Sequence, residues 1–167
     1  MEDFGAGSAF LQKYQRSIGS IARHAAKSKK YGQLLFRMAK HYQPATILEM
    51  GSSLGITSSY LSMGRPEARL ITMEGAREIA AVARQNFSNL GLKNIELLEG
   101  NFDVTLPGLL HELSAVDFAF VDGNHRREPT ERYFSQLLGK THTGSILVFD
   151  DIHWSREMEE AWEEIKK

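Results

Sequence analysis

The sequence predicts an α/β fold: a doubly wound parallel sheet with helices on both faces. Three observations point there. Five short runs rich in apolar and β-favouring residues (46–48, 69–73, 94–98, 115–121 and 145–149) alternate with segments whose apolar residues recur at helical spacing. The first run leads directly into a small polar turn bracketed by Gly51 and Gly55. Four of the five runs close on acidic residues. Strands alternating with helices call for right-handed crossovers and a parallel sheet.

Residues 1–20 are punctuated by glycine and serine, with Phe4, Phe10, Leu11, Tyr14 and Ile18 as their apolar content. They read as an arm or short helix whose partner surface lies elsewhere. Residues 31–42 form a helix with Leu34, Leu35, Met38 and Tyr42 on one stripe. Pro44 ends it, because the residue before proline resists the α conformation. Thr46, Ile47 and Leu48 suit a buried central strand, which Glu49 closes. Ile56, Tyr60 and Leu61 then recur at helical spacing. Strand, acid, glycine turn and helix make a nucleotide-cradling unit, in which a side chain in place of glycine would block the ligand's approach. An ordinary β-α turn capped by Ser52 or Ser53 is the alternative.

The second strand, 69–73, ends at Glu74. Its helix, 76–90, turns Ile79, Ala83, Phe87 and Leu90 inward and stops at Gly91. The third strand, 94–98, leads to Glu99, Gly100, Asn101 and Phe102, and Pro107 opens a helix through Leu110 and Leu113. The fourth strand, 115–121, ends at Asp122. Pro129 opens the next helix, with Tyr133, Phe134, Leu137 and Leu138 inward and Gly139 as its stop. The fifth strand, 145–149, ends at Asp150 and Asp151. Ser155 caps a last helix carrying Met158, Ala161, Trp162 and Ile165.

A chain of 167 residues is expected to be one domain: a helical arm over residues 1–43 and a core over 44–167. With 42% hydrophobic and 25% charged residues, the composition is that of a globular protein. A net charge of -1 argues against a dedicated nucleic-acid partner. The charge is uneven: Lys13, Arg16, Arg23, Lys27, Lys29, Lys30, Arg37 and Lys40 lie between Asp3 and Glu49 with no acid among them. The absence of cysteine excludes disulfides, thiolate nucleophiles and zinc–cysteine sites. No apolar run is long enough to span a membrane, so the expected location is cytoplasmic.

Ligands of such sheets bind at the carboxyl ends of the strands. Here those ends carry Glu49, Glu74, Asn101, Asp122 and the pair Asp150 and Asp151. So acidic a rim calls for a cation, a donor-rich ligand or a metal. Glu74, about twenty residues past the turn, stands where an acidic side chain grips two ribose hydroxyls. Asn101 and Phe102 are placed to edge and cover an adenine. Glu49 repels a pyrophosphate but suits a sulfonium or amino group. Gly51 and Gly55 fit neither the dinucleotide spacing nor a phosphate loop. Asp122, Asp150 and Asp151 offer hard oxygen ligands for Mg²⁺ or a similar divalent ion. His125, three residues past Asp122, is either a loop histidine making one hydrogen bond or, since an unperturbed imidazole titrates near neutrality, the expected proton acceptor. His153 and Trp154 either line an acceptor pocket or, for Trp154, staple the last helix.

These motifs resemble the class I S-adenosylmethionine-dependent methyltransferases, a Rossmann-like family. ILEMGSSLG is similar to its first motif, ITMEG to its second, EGNF to its third, and VDGNH with VFDDIHW to its fourth and fifth. The resemblance covers about residues 44–167 and is nearest to the metal-dependent small-molecule O-methyltransferases, the catechol type included. It implies that Glu49, Gly51, Ser53 and Gly55 line the methionine part of the cofactor. It further implies that Glu74 binds the ribose, and Asn101 and Phe102 the adenine. Asp122, also at the cofactor, would hold a divalent metal with Asp150 and Asp151. The implied reaction is in-line methyl transfer to a small-molecule hydroxyl, with His125 as base and residues 1–43 closing over the cofactor.

Three departures stand out. Asp151 replaces the catechol type's asparagine, and His125 replaces its lysine base. The family's two closing strands do not follow residue 149, so the fifth strand is expected to be an exposed apolar edge. A fuller chain or a partner chain, a homo-oligomer included, is expected to cover it. A nicotinamide-dependent oxidoreductase and a non-catalytic adenosyl-binding module are the rival readings.

Overall fold

The computed structural model describes residues 28–167. The element order is α1 (Lys29–Tyr42), β1 (Thr46–Met50), α2 (Ile56–Gly64), β2 (Arg69–Glu74), α3 (Arg77–Asn89), β3 (Ile95–Glu99), α4 (Phe102–Glu112), β4 (Phe118–Val121), α5 (Arg127–Leu138), β5 (Ile146–Phe149) and α6 (Arg156–Ile165). The strands form one sheet in the order β3-β2-β1-β4-β5, and every pairing is parallel. This is the doubly wound α/β architecture that the alternation predicts. Residues 1–20, read as an arm, lie outside the described residues.

The sheet is buried on both faces, which is why its central strands are nearly continuous apolar runs. On one face, Leu48, Met50, Ile71, Met73, Ala119 and Val121 meet Leu106, Leu109 and Leu110 of α4 and Tyr133 and Leu137 of α5. On the other, Ile47, Leu70, Phe118 and Phe120 meet Leu35 and Ala39 of α1 and Leu61 of α2. Each fully buried Leu, Ile, Met or Phe among them contributes about 1.5–3 kcal/mol. The sheet edges differ: β5 leaves Ile146, Leu147, Val148 and Phe149 all half-buried, whereas β3 pairs Glu96 with Arg69 and Glu99 with Arg84. Phe149 is packed by Phe134 and Trp162, each ring 6.1 Å away.

Several local expectations are corrected. Pro107 does not open a helix. It lies inside α4, which starts at Phe102 because the Asn101 side chain accepts the Asp103 N–H at 2.9 Å. Pro107 is tolerated inside the helix at the cost of one intrahelical bond. Leu34, Tyr42, Leu90 and Leu138, expected inward, are exposed, and the buried stripes run instead through Leu35 and Ala39, through Ala80, Ala83 and Phe87, and through Tyr133 and Leu137. Neither Ser52 nor Ser53 caps α2, whose N-cap is Gly55 with no side-chain bond. Ser155 caps α6 as expected, accepting the Met158 N–H at 3.2 Å.

Candidate functional site

In this strand order the chain moves outward from β1 through β2 to β3, then returns to the other side of β1 with β4. The direction of winding reverses between β1 and β4, which opens a crevice at their carboxyl ends. Backbone bonds align the strand ends into one rim. Gly51 and Ser52 N–H groups both donate to the Met73 carbonyl, Asp122 N–H to Met50, Asp150 N–H to Val121 and Gly100 N–H to Glu74. A pocket there is lined by Gly51, Ser52, Ser53, Leu54, Ile56, Thr57 and Asp122.

The turn is built to bring backbone close to backbone. Gly51 has φ +107°, and a Cβ on it would stand 2.1 Å from the Asp122 carbonyl oxygen. Gly55 has φ +78°, and a Cβ there would meet the Phe87 ring. Three non-glycine residues of the strand-end loops also have positive φ: Ser53 (46°), Asn124 (66°) and Asp151 (52°). Such backbone costs about 1–3 kcal/mol each and clusters at functional sites.

Glu74 sits beside the turn. Its Oε2 accepts the Ser53 N–H at 2.9 Å and its Oε1 accepts the Ala76 N–H at 2.9 Å. Asn101 caps α4, and Phe102 packs edge-on to Tyr133 with ring centroids 6.3 Å apart.

Glu49 lies elsewhere than expected. It stands within β1, not at its tip, and is 0% exposed. Ser58 and Thr72 hydroxyls donate to its Oε2, and the Ser52 and Thr72 hydroxyls share a 2.5 Å bond. Its Oε1 is buried without a hydrogen-bond partner. Burial pushes the carboxyl up to about 7; Ser58 and Thr72 oppose the rise, and the negative Asp122 and Glu74 add to it. Glu49 therefore underlies the turn through Ser52, Thr72 and Ser58.

The far half of the rim brings His125 together with two of the expected aspartates, Asp122 and Asp151. Ligand atoms of Asp122, His125 and Asp151 lie within 4.8 Å of one another. His125 Nε2 is 3.9 Å from Asp122 Oδ1 and 3.6 Å from Asp151 Oδ2. Asp150 stands outside this group; its Oδ1 accepts the Asp151 N–H at 2.8 Å. The left-handed backbone at Asp151 redirects its side chain, and no residue pattern announces that. The two carboxylates are hard oxygen donors that fit a divalent ion, and the imidazole beside them can accept a proton.

Sequence reasoning missed the support for this loop. Tyr133 is fully buried, yet its hydroxyl accepts from Asn124 Nδ2 at 3.0 Å and donates to Asp103 Oδ1 at 2.7 Å. Arg132 holds the same Asp103 oxygen at 2.7 Å. A tyrosine on an apolar helical stripe reads as core, so no pattern signalled this bond. His153 is solvent-exposed, 3.2 Å from Glu159 Oε1, while the Trp154 ring lies 6.1 Å from that of His125. The described part of the expected cap, α1, packs into the core on one sheet face.

A methyltransferase-domain family profile matches residues 48–152. The chain is 30% identical to a catechol O-methyltransferase of Niastella koreensis, over 75% of this chain and 57% of that protein. It is 28% identical to one of Mycobacterium tuberculosis, over 76% and 57%. The chain thus spans about half the length of these curated relatives. Its fold matches an O-methyltransferase from Bacillus cereus in complex with SAH (TM-score 0.77, 20% identity, 89% of this chain and 76% of that one). It also matches the O-methyltransferase TomG from Streptomyces achromogenes in complex with SAM (TM-score 0.73, 24% identity, 92% and 78%). With the switch-point crevice, the glycine turn and a profile match over more than half its length, this chain belongs to the methyltransferase-domain family.

Proposed function

We propose that the chain forms the cofactor-binding and reacting part of an S-adenosylmethionine-dependent O-methyltransferase acting on a small-molecule hydroxyl. The observation that carries this reading is the meeting, at one switch point, of the glycine turn, Glu74 and the Asp122, His125 and Asp151 trio. Glu74 accepts the ribose hydroxyls, the turn at Gly51, Ser53 and Gly55 receives the methionine part, and Asn101 and Phe102 border the adenine. The relatives named as catechol O-methyltransferases, and the neighbours solved with SAH or SAM, support the same cofactor and acceptor class.

Asp122 and Asp151 would hold a divalent ion such as Mg²⁺, a reading supported by their ligand atoms lying within 4.8 Å of each other, and Asp150 accepts the Asp151 N–H. A bound ion supplies positive charge that lowers the pKa of a substrate hydroxyl. His125 takes the hydroxyl proton. A bound S-adenosylmethionine would supply an activated methyl group to that oxygen and leave as a neutral thioether, the hydroxyl proton staying on His125. The protein's part is alignment and proton removal, because the sulfonium already activates the methyl group. Among the described residues no helix is long and apolar enough to cross a membrane.

The test is transfer of labelled methyl from S-adenosylmethionine to 1,2-dihydroxybenzene, with Mg²⁺ or with a chelator. Transfer that needs Mg²⁺, and that drops at least about a hundredfold in Asp122→Ala, is expected. Full transfer by Asp122→Ala in the presence of chelator contradicts the metal assignment.

A further inference from the structure

Asparagine is among the poorer helix formers, because its side chain competes for nearby backbone groups. Asn86 nevertheless lies inside α3, half-buried, with its amide bonded outside its own helix. Its Nδ2 donates to the Leu54 carbonyl at 2.9 Å, 32 residues back in the chain. The neighbouring amides of α3, Gln85 and Asn89, pair with each other on the exposed side instead.

Leu54 is the buried residue of the β1–α2 turn between Ser53 and Gly55. The first N–H groups of that turn are tied to β2: those of Gly51 and Ser52 to the Met73 carbonyl, and that of Ser53 to Glu74. The Leu54 carbonyl and the Gly55 N–H belong to one peptide plane. Asn86 holds the oxygen of that plane, and the Ser52 carbonyl accepts its N–H at 2.8 Å. Gly55 has no Cβ to resist a flip of this plane, so the two bonds select its orientation. Ala83 and Phe87, on the same face of α3 as Asn86, close around Gly55. The start of α3 is fixed too, since Glu74 accepts both the Ala76 N–H and the Ser53 N–H. One helix thus grips the turn twice, at Ser53 through Glu74 and at Leu54 through Asn86. Leu54 lines the pocket, and Asn86 stands behind it, outside that lining.

We propose that Asn86 is a positioning residue: from behind the pocket it fixes the Leu54–Gly55 peptide, and with it the turn that receives the methionine part of the cofactor. It acts through backbone, not by contact with the ligand. This rests on the cofactor reading above. Without the amide, the plane is free to rotate, the Gly55 N–H leaves Ser52, and the start of α2 shifts with it. The cofactor must then order the turn as it binds, and that cost appears as lost affinity.

The experiment measures S-adenosylhomocysteine binding to the full chain by calorimetry near pH 8, for the parent, Asn86→Asp and Asn86→Ala. Amide hydrogen exchange of each unliganded protein is followed in parallel. Asn86→Asp keeps the shape but turns an acceptor toward the Leu54 carbonyl. Asn86→Ala removes the donor while favouring the helix, so it carries the test if Asn86→Asp fails to fold. Binding is expected to weaken about tenfold in Asn86→Asp and severalfold in Asn86→Ala, with faster exchange confined to residues 51–58. Affinity within about twofold of the parent in either folded variant overturns the positioning role alone. So does exchange that is unchanged over 51–58, or that rises through β1 and β2 as well, which marks general loosening. Failure of the parent to bind S-adenosylhomocysteine overturns the cofactor reading and the positioning role with it.

Discussion

At Glu49, burial outweighs two hydroxyl donors and pushes the carboxyl from its ordinary 4.5 up to about 7. The folded state therefore holds its proton more tightly than the unfolded chain between those values. Where the native state binds more protons, stability falls as pH rises. Glu49 costs nothing below the lower value, and its full penalty, at most about 3 kcal/mol, is present above the upper one. Urea unfolding near pH 5 and near pH 8 checks this: Glu49→Gln gains stability relative to the parent at the higher pH, and a parallel shift at both pH values contradicts it. Tyr133 offers a second residue-scale test. Tyr133→Phe keeps the ring in the core but deprives Asn124 and Asp103 of a partner. It is expected to cost about 1 kcal/mol and to weaken Mn²⁺ binding severalfold by freeing the loop between Asp122 and His125. Calorimetry and urea melts separate the two effects.

At the scale of the element, the β1–α2 turn is the critical piece. Gly51→Ala places a methyl against the Asp122 carbonyl and forces an L-residue to φ +107°. The variant should lose about 2 kcal/mol of stability and at least tenfold in S-adenosylhomocysteine affinity; unchanged values on both counts contradict the close approach of the two loops. This turn was legible in the sequence, because glycine spacing reports directly on backbone needs. So were the five strands, since two-sided burial writes itself as apolar runs such as Ile47 and Leu48. Helix faces were less legible: Leu34 and Leu90 fit an inward stripe by spacing, yet the neighbours that decide burial lie far off in sequence. Pro107 misled because the cap at Asn101 set the helix start five residues earlier than any interior rule allows. At the site, the residues closing the strands were readable as a set, whereas their grouping was not. Asp151, whose backbone is left-handed, comes within 3.6 Å of His125, and nothing in the residue pattern announces that torsion.

For the whole molecule, the sheet order puts the winding reversal between β1 and β4, and every feature of the site follows from that placement. Gly51 and Asp122 meet because their strands are neighbours, and Glu74 reaches Ser53 because β2 flanks β1 on the other side. The half-buried β5 and the half-buried carboxylates of the carboxyl-end rim go with the same layered arrangement. In the proposed function this crevice takes an adenosyl sulfur cofactor through Glu74 and the glycine turn. Isothermal titration of the chain with S-adenosylhomocysteine and, separately, with NAD tests it most directly. One-to-one binding of S-adenosylhomocysteine, weakened at least about tenfold by Glu74→Ala, with no heat from NAD, is the result expected. Binding of NAD instead, or S-adenosylhomocysteine affinity indifferent to Glu74→Ala, would contradict it.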